Sequence, residues 1–187
     1  MVILINVLLA LRVLFALGFF LILAYIAFIM ISFRKIVPYV PTPKRIIRIM
    51  IELAGIRDGE RICDLGSGGG RIIFKVAKTH KQNLVFGIEN SPTLRIVSRF
   101  FLLFHPLIKK RIQIIKQDFY NMDLTQFDVI FCFLTPNGLR ILEPQFQTLK
   151  AKSRIVSYMF PLENHQNFSE YIEQVSVKDS IYVYKKL

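Results

Sequence analysis

Asp64-Leu65-Gly66-Ser67-Gly68-Gly69-Gly70-Arg71 follows the short apolar run Arg61-Ile62-Cys63. An acidic residue at a strand end thus runs straight into a glycine-rich turn, in the spacing D-x-G-x-G-x-G. A dinucleotide fingerprint, G-x-G-x-x-G, requires a glycine at position 71, which is Arg71. A pyrophosphate turn also gains nothing from a carboxylate two residues before its first glycine. A ligand carrying an ammonium group does. S-adenosylmethionine (SAM), an amino-acid zwitterion on an adenosine with a reactive sulfonium, is such a ligand. Gly66, Gly68 and Gly70 let the backbone pass close to it, Ser67 lies within the same turn, and N–H groups at the following helix start can face its carboxylate.

Leu84-Val85-Phe86-Gly87-Ile88-Glu89 reads as a second buried strand ending in a carboxylate, followed by Asn90. Nucleotide folds place an acid about 20 residues past the glycines, where it accepts from ribose hydroxyls. A third strand, 112–117, ends at Asp118-Phe119, suited to an adenine amino group and the face of its ring. A fourth, 128–134, ends in Thr135-Pro136-Asn137. Each acid taken singly is also an ordinary turn or cap residue. Three in register with a glycine loop converge on the crevice outside the strands' carboxyl ends, where doubly wound sheets bind ligands. The pattern is that of the SAM loop of a class I, Rossmann-like methyltransferase.

The elements that must position these residues alternate as a parallel doubly wound α/β sheet requires. Pro38-Tyr39-Val40-Pro41-Thr42-Pro43 is extended, because each proline biases its predecessor away from helix. Thr42 then serves as N-cap, with Pro43 at the first helical position and Gly55 as the stop. Further helices are expected near Arg71–Thr79, Ser91–Phe104 and Pro136–Leu149, and a fifth strand near Ser153–Met159. The tail, 171–177 and 180–186 around Lys178-Asp179, reads as a hairpin and supplies an antiparallel strand. The helix holding Ile96–Ile108 is dense in bulky apolar residues and precedes Lys109-Lys110-Arg111. It either packs into the core or presents a patch to lipid.

The mean hydropathy of +0.43 is locally concentrated. Val13–Phe33 carries no charge and is long enough to cross the ~30 Å hydrocarbon core as a helix. Met1–Leu11 is apolar too, so Arg12 either snorkels from within the helix or precedes it. The run is too long for a signal peptide and lacks a cleavage site, which makes residues 1–35 a membrane anchor and 36–187 the methyltransferase domain. Arg34, Lys35, Lys44, Arg45 and Arg48 crowd its C-terminal flank before the first acid, Glu52, and the positive-inside rule then puts the domain in the cytoplasm. A net charge of +12 without any nucleic-acid-binding motif suits an anionic lipid surface better than nucleic acid. Cys63 and Cys132 fall in buried strands, with no spacing for a metal or a redox pair, and His80, His105 and His165 offer no base.

From Pro38 to about Phe160 the chain resembles a family of SAM-dependent protein lysine methyltransferases. The family includes the archaeal broad-specificity enzyme and the mitochondrial enzymes acting on the ATP synthase c-subunit and the adenine nucleotide translocase. The resemblance is carried by the proline-rich motif 38–43, Asp64-Leu65-Gly66-Ser67-Gly68, Gly70-Arg71-Ile72, Gly87-Ile88-Glu89, Leu134-Thr135, Leu142-Glu143-Pro144 and Arg154-Ile155-Val156-Ser157. It implies that Tyr39 and Thr42 close over the cofactor's methionine end, which Asp64, Gly66 and Gly68 hold, and that Glu89 holds the ribose. It also implies a protein substrate with an accessible lysine; by their own chemistry Tyr39 and Thr135 suit the lining of a lysine channel, while Tyr158 suits either that lining or ordinary packing. The chain departs from the family at Gly69, usually aspartate, and at Tyr158, often histidine. Two other readings share the same cofactor crevice: a membrane lipid or quinone methyltransferase, and a non-catalytic membrane module of the same fold.

Overall fold

The computed structural model describes residues 2–33, 40–162 and 172–187. By its contacts the chain divides into two units, 1–39 and 40–187. The first contains one helix, α1 (Val2–Phe33). Its window Asn6–Phe28, 23 residues, is long and apolar enough to span a membrane, at about 35 Å of rise. Arg12 lies inside that window, so α1 starts before the charge.

The second unit begins with α2 (Lys44–Ala54), an amphipathic helix that buries Ile46, Ile47, Met50, Ile51 and Ala54. Strands and helices then alternate: β1 (Arg61–Leu65), α3 (Arg71–Thr79), β2 (Leu84–Ile88), α4 (Pro92–Leu103), α5 (Pro106–Lys109), β3 (Ile112–Ile115), β4 (Val129–Cys132), α6 (Pro136–Gln147) and β5 (Arg154–Tyr158). The hairpin strands β6 (Ile172–Lys178) and β7 (Ile181–Lys186) follow. The sheet order is β3-β2-β1-β4-β5-β7-β6, parallel through β5. β7 is antiparallel to both neighbours, as the tail's hairpin pattern leads one to expect. The central strands are buried on both faces, which is why they read as unbroken apolar runs. Burial raises the thiol pKa of Cys63 and brings that of Cys132 to about 12, so both are inert core residues.

Two local expectations are corrected, and one open alternative is refined. The first helical bond of α2 runs from the Ile47 amide to the Pro43 carbonyl, which makes Pro43 the N-cap rather than Thr42. The hairpin turns at Asp179-Ser180, one residue later than expected. Both residues are left-handed, at φ 52° and 58°, as a tight turn between twisted strands demands. The run Ile96–Ile108, read as either core or surface, is both: Leu102 and Ile108 pack in the core while the opposite face does not. It breaks before Pro106, whose ring disfavours helical geometry at His105, and leaves Ile96, Phe100, Leu103, Phe104 and Leu107 exposed.

Candidate cofactor site

β1 delivers Asp64 to the carboxyl edge of the sheet, in register with Gly87 of β2 and Phe131 of β4. The side chain is 4% exposed. Burial pushes its carboxyl well above the ordinary range, and the nearby Glu89 carboxylate pushes it further. Among the described residues no cation and no hydrogen-bond donor offsets this charge. A buried carboxylate of this kind is stabilised by an external cation.

The turn beyond it is held at left-handed φ of 73°, 53° and 85° by Gly66, Gly68 and Gly70. The amides of Gly66 and Ser67 both donate to the Ile88 carbonyl, at 2.9 and 3.0 Å, and that of Gly70 donates to the Ser67 carbonyl. The Gly68 amide donates to Glu89 Oε2 at 2.9 Å, while the Ser91 amide donates to Glu89 Oε1 at 2.7 Å. Glu89, itself buried, therefore clamps the glycine loop to the start of α4. This close approach depends on Gly87, where a Cβ would lie 2.7 Å from Ser67 Oγ. The buried Ser67 hydroxyl has no partner among the described residues.

The other walls come from the ends of β3 and β4. A Cβ at Gly66 would stand 3.8 Å from the Phe119 ring and 3.7 Å from Leu134 Cδ2, so both side chains close on the loop. Asp118 Oδ1 accepts the Tyr120 amide at 3.1 Å and caps a short 3₁₀ turn, 119–121, while Phe119 is buried. Thr135 Oγ accepts the Gly138 amide at 3.2 Å and caps α6, with Pro136 at its first position. Asn90 stands exposed at the rim, its carbonyl accepting Arg95.

Thr42 is buried, and its carbonyl accepts Arg71 Nη1 at 3.1 Å, which fastens the segment before α2 to the helix start beyond the glycine loop. Tyr39 lies outside the described residues. Tyr158 packs edge-on against Phe133 at 4.8 Å and against the core, as an ordinary packing residue does. Asp64, the glycine loop, Glu89 and Phe119 thus meet at one crevice, with Asp118 and Thr135 following at the same strand ends. Sequence reasoning missed Gly87 as the close-approach position and Arg71 as the tie to Thr42. A glycine inside an otherwise bulky strand, Leu84–Ile88, is the signal for the former.

The sequence model of the ANTKMT methyltransferase domain matches residues 64–169. The chain is 31% identical over 156 residues to a protein-lysine N-methyltransferase of Saccharolobus islandicus, covering 82% of this chain and 96% of that one. It is 27% identical over 139 residues to the ATP synthase C-subunit lysine N-methyltransferase of Xenopus laevis, covering 73% of this chain and 60% of that relative. Among solved structures it resembles an RNA methyltransferase from Salinibacter ruber in complex with S-adenosyl-L-homocysteine. That likeness has a TM-score of 0.66 and 28% identity, over 79% of this chain and 92% of the other. A glycine loop clamped by a buried carboxylate, a second buried carboxylate with no partner among the described residues, and a match over more than half its length identify the chain as a SAM-dependent methyltransferase of the ANTKMT methyltransferase domain family.

Proposed function

We propose that this methyltransferase transfers methyl groups to lysine side chains of a membrane or membrane-attached protein, with α1 as its anchor and residues 40–187 in the cytoplasm. The observation that carries the cofactor half is Asp64, a buried carboxylate beside a second one, with no cation among the described residues to balance it. The names of the two lysine methyltransferase relatives support the acceptor, and the span Asn6–Phe28 supports the membrane. The basic flank Arg34, Lys35, Lys44, Arg45 and Arg48 supports the cytoplasmic side.

Asp64 takes the ammonium of the cofactor's amino acid end, and Gly66, Ser67, Gly68 and Gly70 form the bed beneath it. Each Glu89 oxygen already accepts one amide and keeps a lone pair for a ribose hydroxyl. Asp118, with Asn90 at the rim, receives the adenine edge, and Phe119 its face. Bound SAM supplies an electrophilic methyl group on a sulfonium. Transfer is an in-line displacement, so the protein's contribution is positioning of the acceptor nitrogen.

A lysine with its free pKa near 10.4 is only ~0.04% neutral at pH 7, a handicap of about 4–5 kcal/mol. Desolvation in an apolar channel lowers that pKa and releases the proton to solvent. Thr135 Oγ accepts an amine N–H with its remaining lone pair. Tyr39 and Thr42 are assigned by their motif to close over the cofactor's methionine end, with the Tyr39 hydroxyl also serving the channel; for Tyr39 both roles rest on the motif alone. Mass spectrometry of membrane proteins from cells with and without the gene tests the acceptor. Loss of a methyl-lysine on a membrane protein supports it. Unchanged methyl-lysine patterns alongside loss of a methylated lipid or quinone would transfer the same site to a small-molecule substrate.

A further inference from the structure

Exposed apolar side chains cluster along α4 and α5: Ile96 is 68% exposed, Leu103 61%, Phe104 66% and Leu107 91%. Phe100 and Phe101 join them, with the Phe100 and Phe104 rings 5.1 Å apart. A contiguous apolar surface of this kind is rare on a soluble domain and marks a contact site. Its surroundings are cationic. Between Asp64 and Asp118 the chain carries ten Lys and Arg residues and a single carboxylate, Glu89, which is buried in the cofactor crevice. Lys78, Lys81 and Arg111 share a groove of about 560 Å³ with Phe104 and Leu107, and the exposed Lys109 and Lys110 flank it.

The groove's edges are fixed. His105 stacks on Phe74 at 5.8 Å, accepts Lys78 Nζ at 2.7 Å, and donates from Nδ1 to the Phe101 carbonyl at 2.9 Å. Lys81 precedes β2 and Arg111 precedes β3, so the groove sits at the amino ends of the strands, away from the cofactor crevice. α4 begins beside that crevice at Ser91 and carries the apolar stripe from there to the groove.

We infer that the α4–α5 face docks the catalytic domain onto an anionic lipid bilayer, with Phe104 and Leu107 at the acyl boundary and the surrounding lysines at lipid phosphates. A partner protein would need a dense acidic surface around an apolar centre. An anionic membrane presents both everywhere, and a chain anchored by α1 keeps it within reach at high effective concentration. The inference rests on the reading of α1 as an anchor and goes beyond it, because a tether alone leaves the domain free to tumble. Docking along α4 instead leaves the crevice open at a fixed height above the bilayer.

The chain contains no tryptophan, so Leu107→Trp reports alone. The full chain is reconstituted into vesicles of acyl-brominated phosphatidylcholine with or without phosphatidylglycerol, and flotation reads anchoring separately. With phosphatidylglycerol, Trp emission shifts to the blue and falls roughly twofold, as burial at the acyl boundary requires. Lys109→Glu with Lys110→Glu, or high salt, reverses both effects, and an Ile141→Trp control on α6 shows neither. Water-like emission from floating vesicles overturns the docking and leaves the anchor intact; failure to float sinks both. A blue shift without bromine quenching means that protein covers the face, whether a second copy, α1 or an acceptor, and overturns lipid docking. Equal quenching in neutral vesicles overturns the role of the charge.

Discussion

Glu89 holds the Gly68 amide at 2.9 Å, so an acid placed to meet the cofactor shapes the glycine loop before any ligand arrives. Asp64, one strand over, receives no donor from the described residues and sits beside Glu89's charge. The two acids therefore respond to mutation in opposite directions. Glu89→Ala strips acceptors from the Gly68 and Ser91 amides and lowers the stability of the ligand-free protein by about 1–3 kcal/mol. Asp64→Asn removes an uncompensated buried charge and leaves the ligand-free protein as stable or more so. Both weaken SAM binding by at least about tenfold, or ~1.4 kcal/mol. Thermal unfolding without ligand, followed by calorimetry with SAM, checks the pair.

The pH dependence of binding follows from the same carboxyl. Its raised pKa in the ligand-free protein favours the protonated form, so this contribution to stability is present at low pH and is lost as pH rises through the folded value. An ammonium ligand requires the charged form and pulls the pKa back down. SAM binding therefore releases a proton in the window above the ordinary carboxylate range, and affinity falls as pH drops through it. Calorimetry in two buffers of different ionisation enthalpy measures the release. Asp64→Asn abolishes it; an unchanged proton release in that variant refutes the assignment.

Gly87→Ala places a Cβ 2.7 Å from Ser67 Oγ and 2.9 Å from Ile73 Cδ1, which forces the loop off the end of β2. Overpacking of this kind costs about 1–3 kcal/mol. SAM affinity falls along with stability. Gly68→Val acts differently, by demanding a left-handed φ of a β-branched residue, and removes detectable SAM binding. Thermal melts and calorimetry on the two variants, with Gly18→Ala in α1 as a control that meets no atom within 4 Å, test both.

A reporter fused after Leu187 is active only in the cytoplasm if the basic flank of α1 sets the orientation. Replacing Arg34, Lys35, Lys44, Arg45 and Arg48 with neutral residues weakens that preference and gives mixed topology. Exclusive activity on the far side of the membrane from the unmodified chain reverses the assignment.

The parallel core was legible in the sequence because each central strand is buried on both faces, and an apolar run closed by an acid or a glycine marks its length. Asp64 and the glycine loop were legible for the same reason: their chemistry sits where the run stops. Glu89's clamp on Gly68 was not, because it joins residues 21 apart through a side chain whose ligand role gives the same pattern. The Arg71–Thr42 tie was hidden as well, since a guanidinium reaching a backbone carbonyl leaves no signature at the accepting residue. The face of α4 stayed ambiguous for a different reason. Apolar density implies burial only when the rest of the domain supplies a surface to cover it, and here the described surface leaves it open.

The placement of β7 between β5 and β6 sets an order of events during synthesis. β5 keeps the edge Arg154-Ile155-Val156-Ser157-Tyr158 unpaired until Ile181–Lys186 has left the ribosome, because its outer neighbour lies beyond β6 in the chain. Until β7 pairs with it, the outer ladder of β5 is available to any other unfolded or partly folded chain. High protein concentration during refolding is therefore the condition that favours edge-to-edge misassembly of this domain, and dilution is the condition that opposes it.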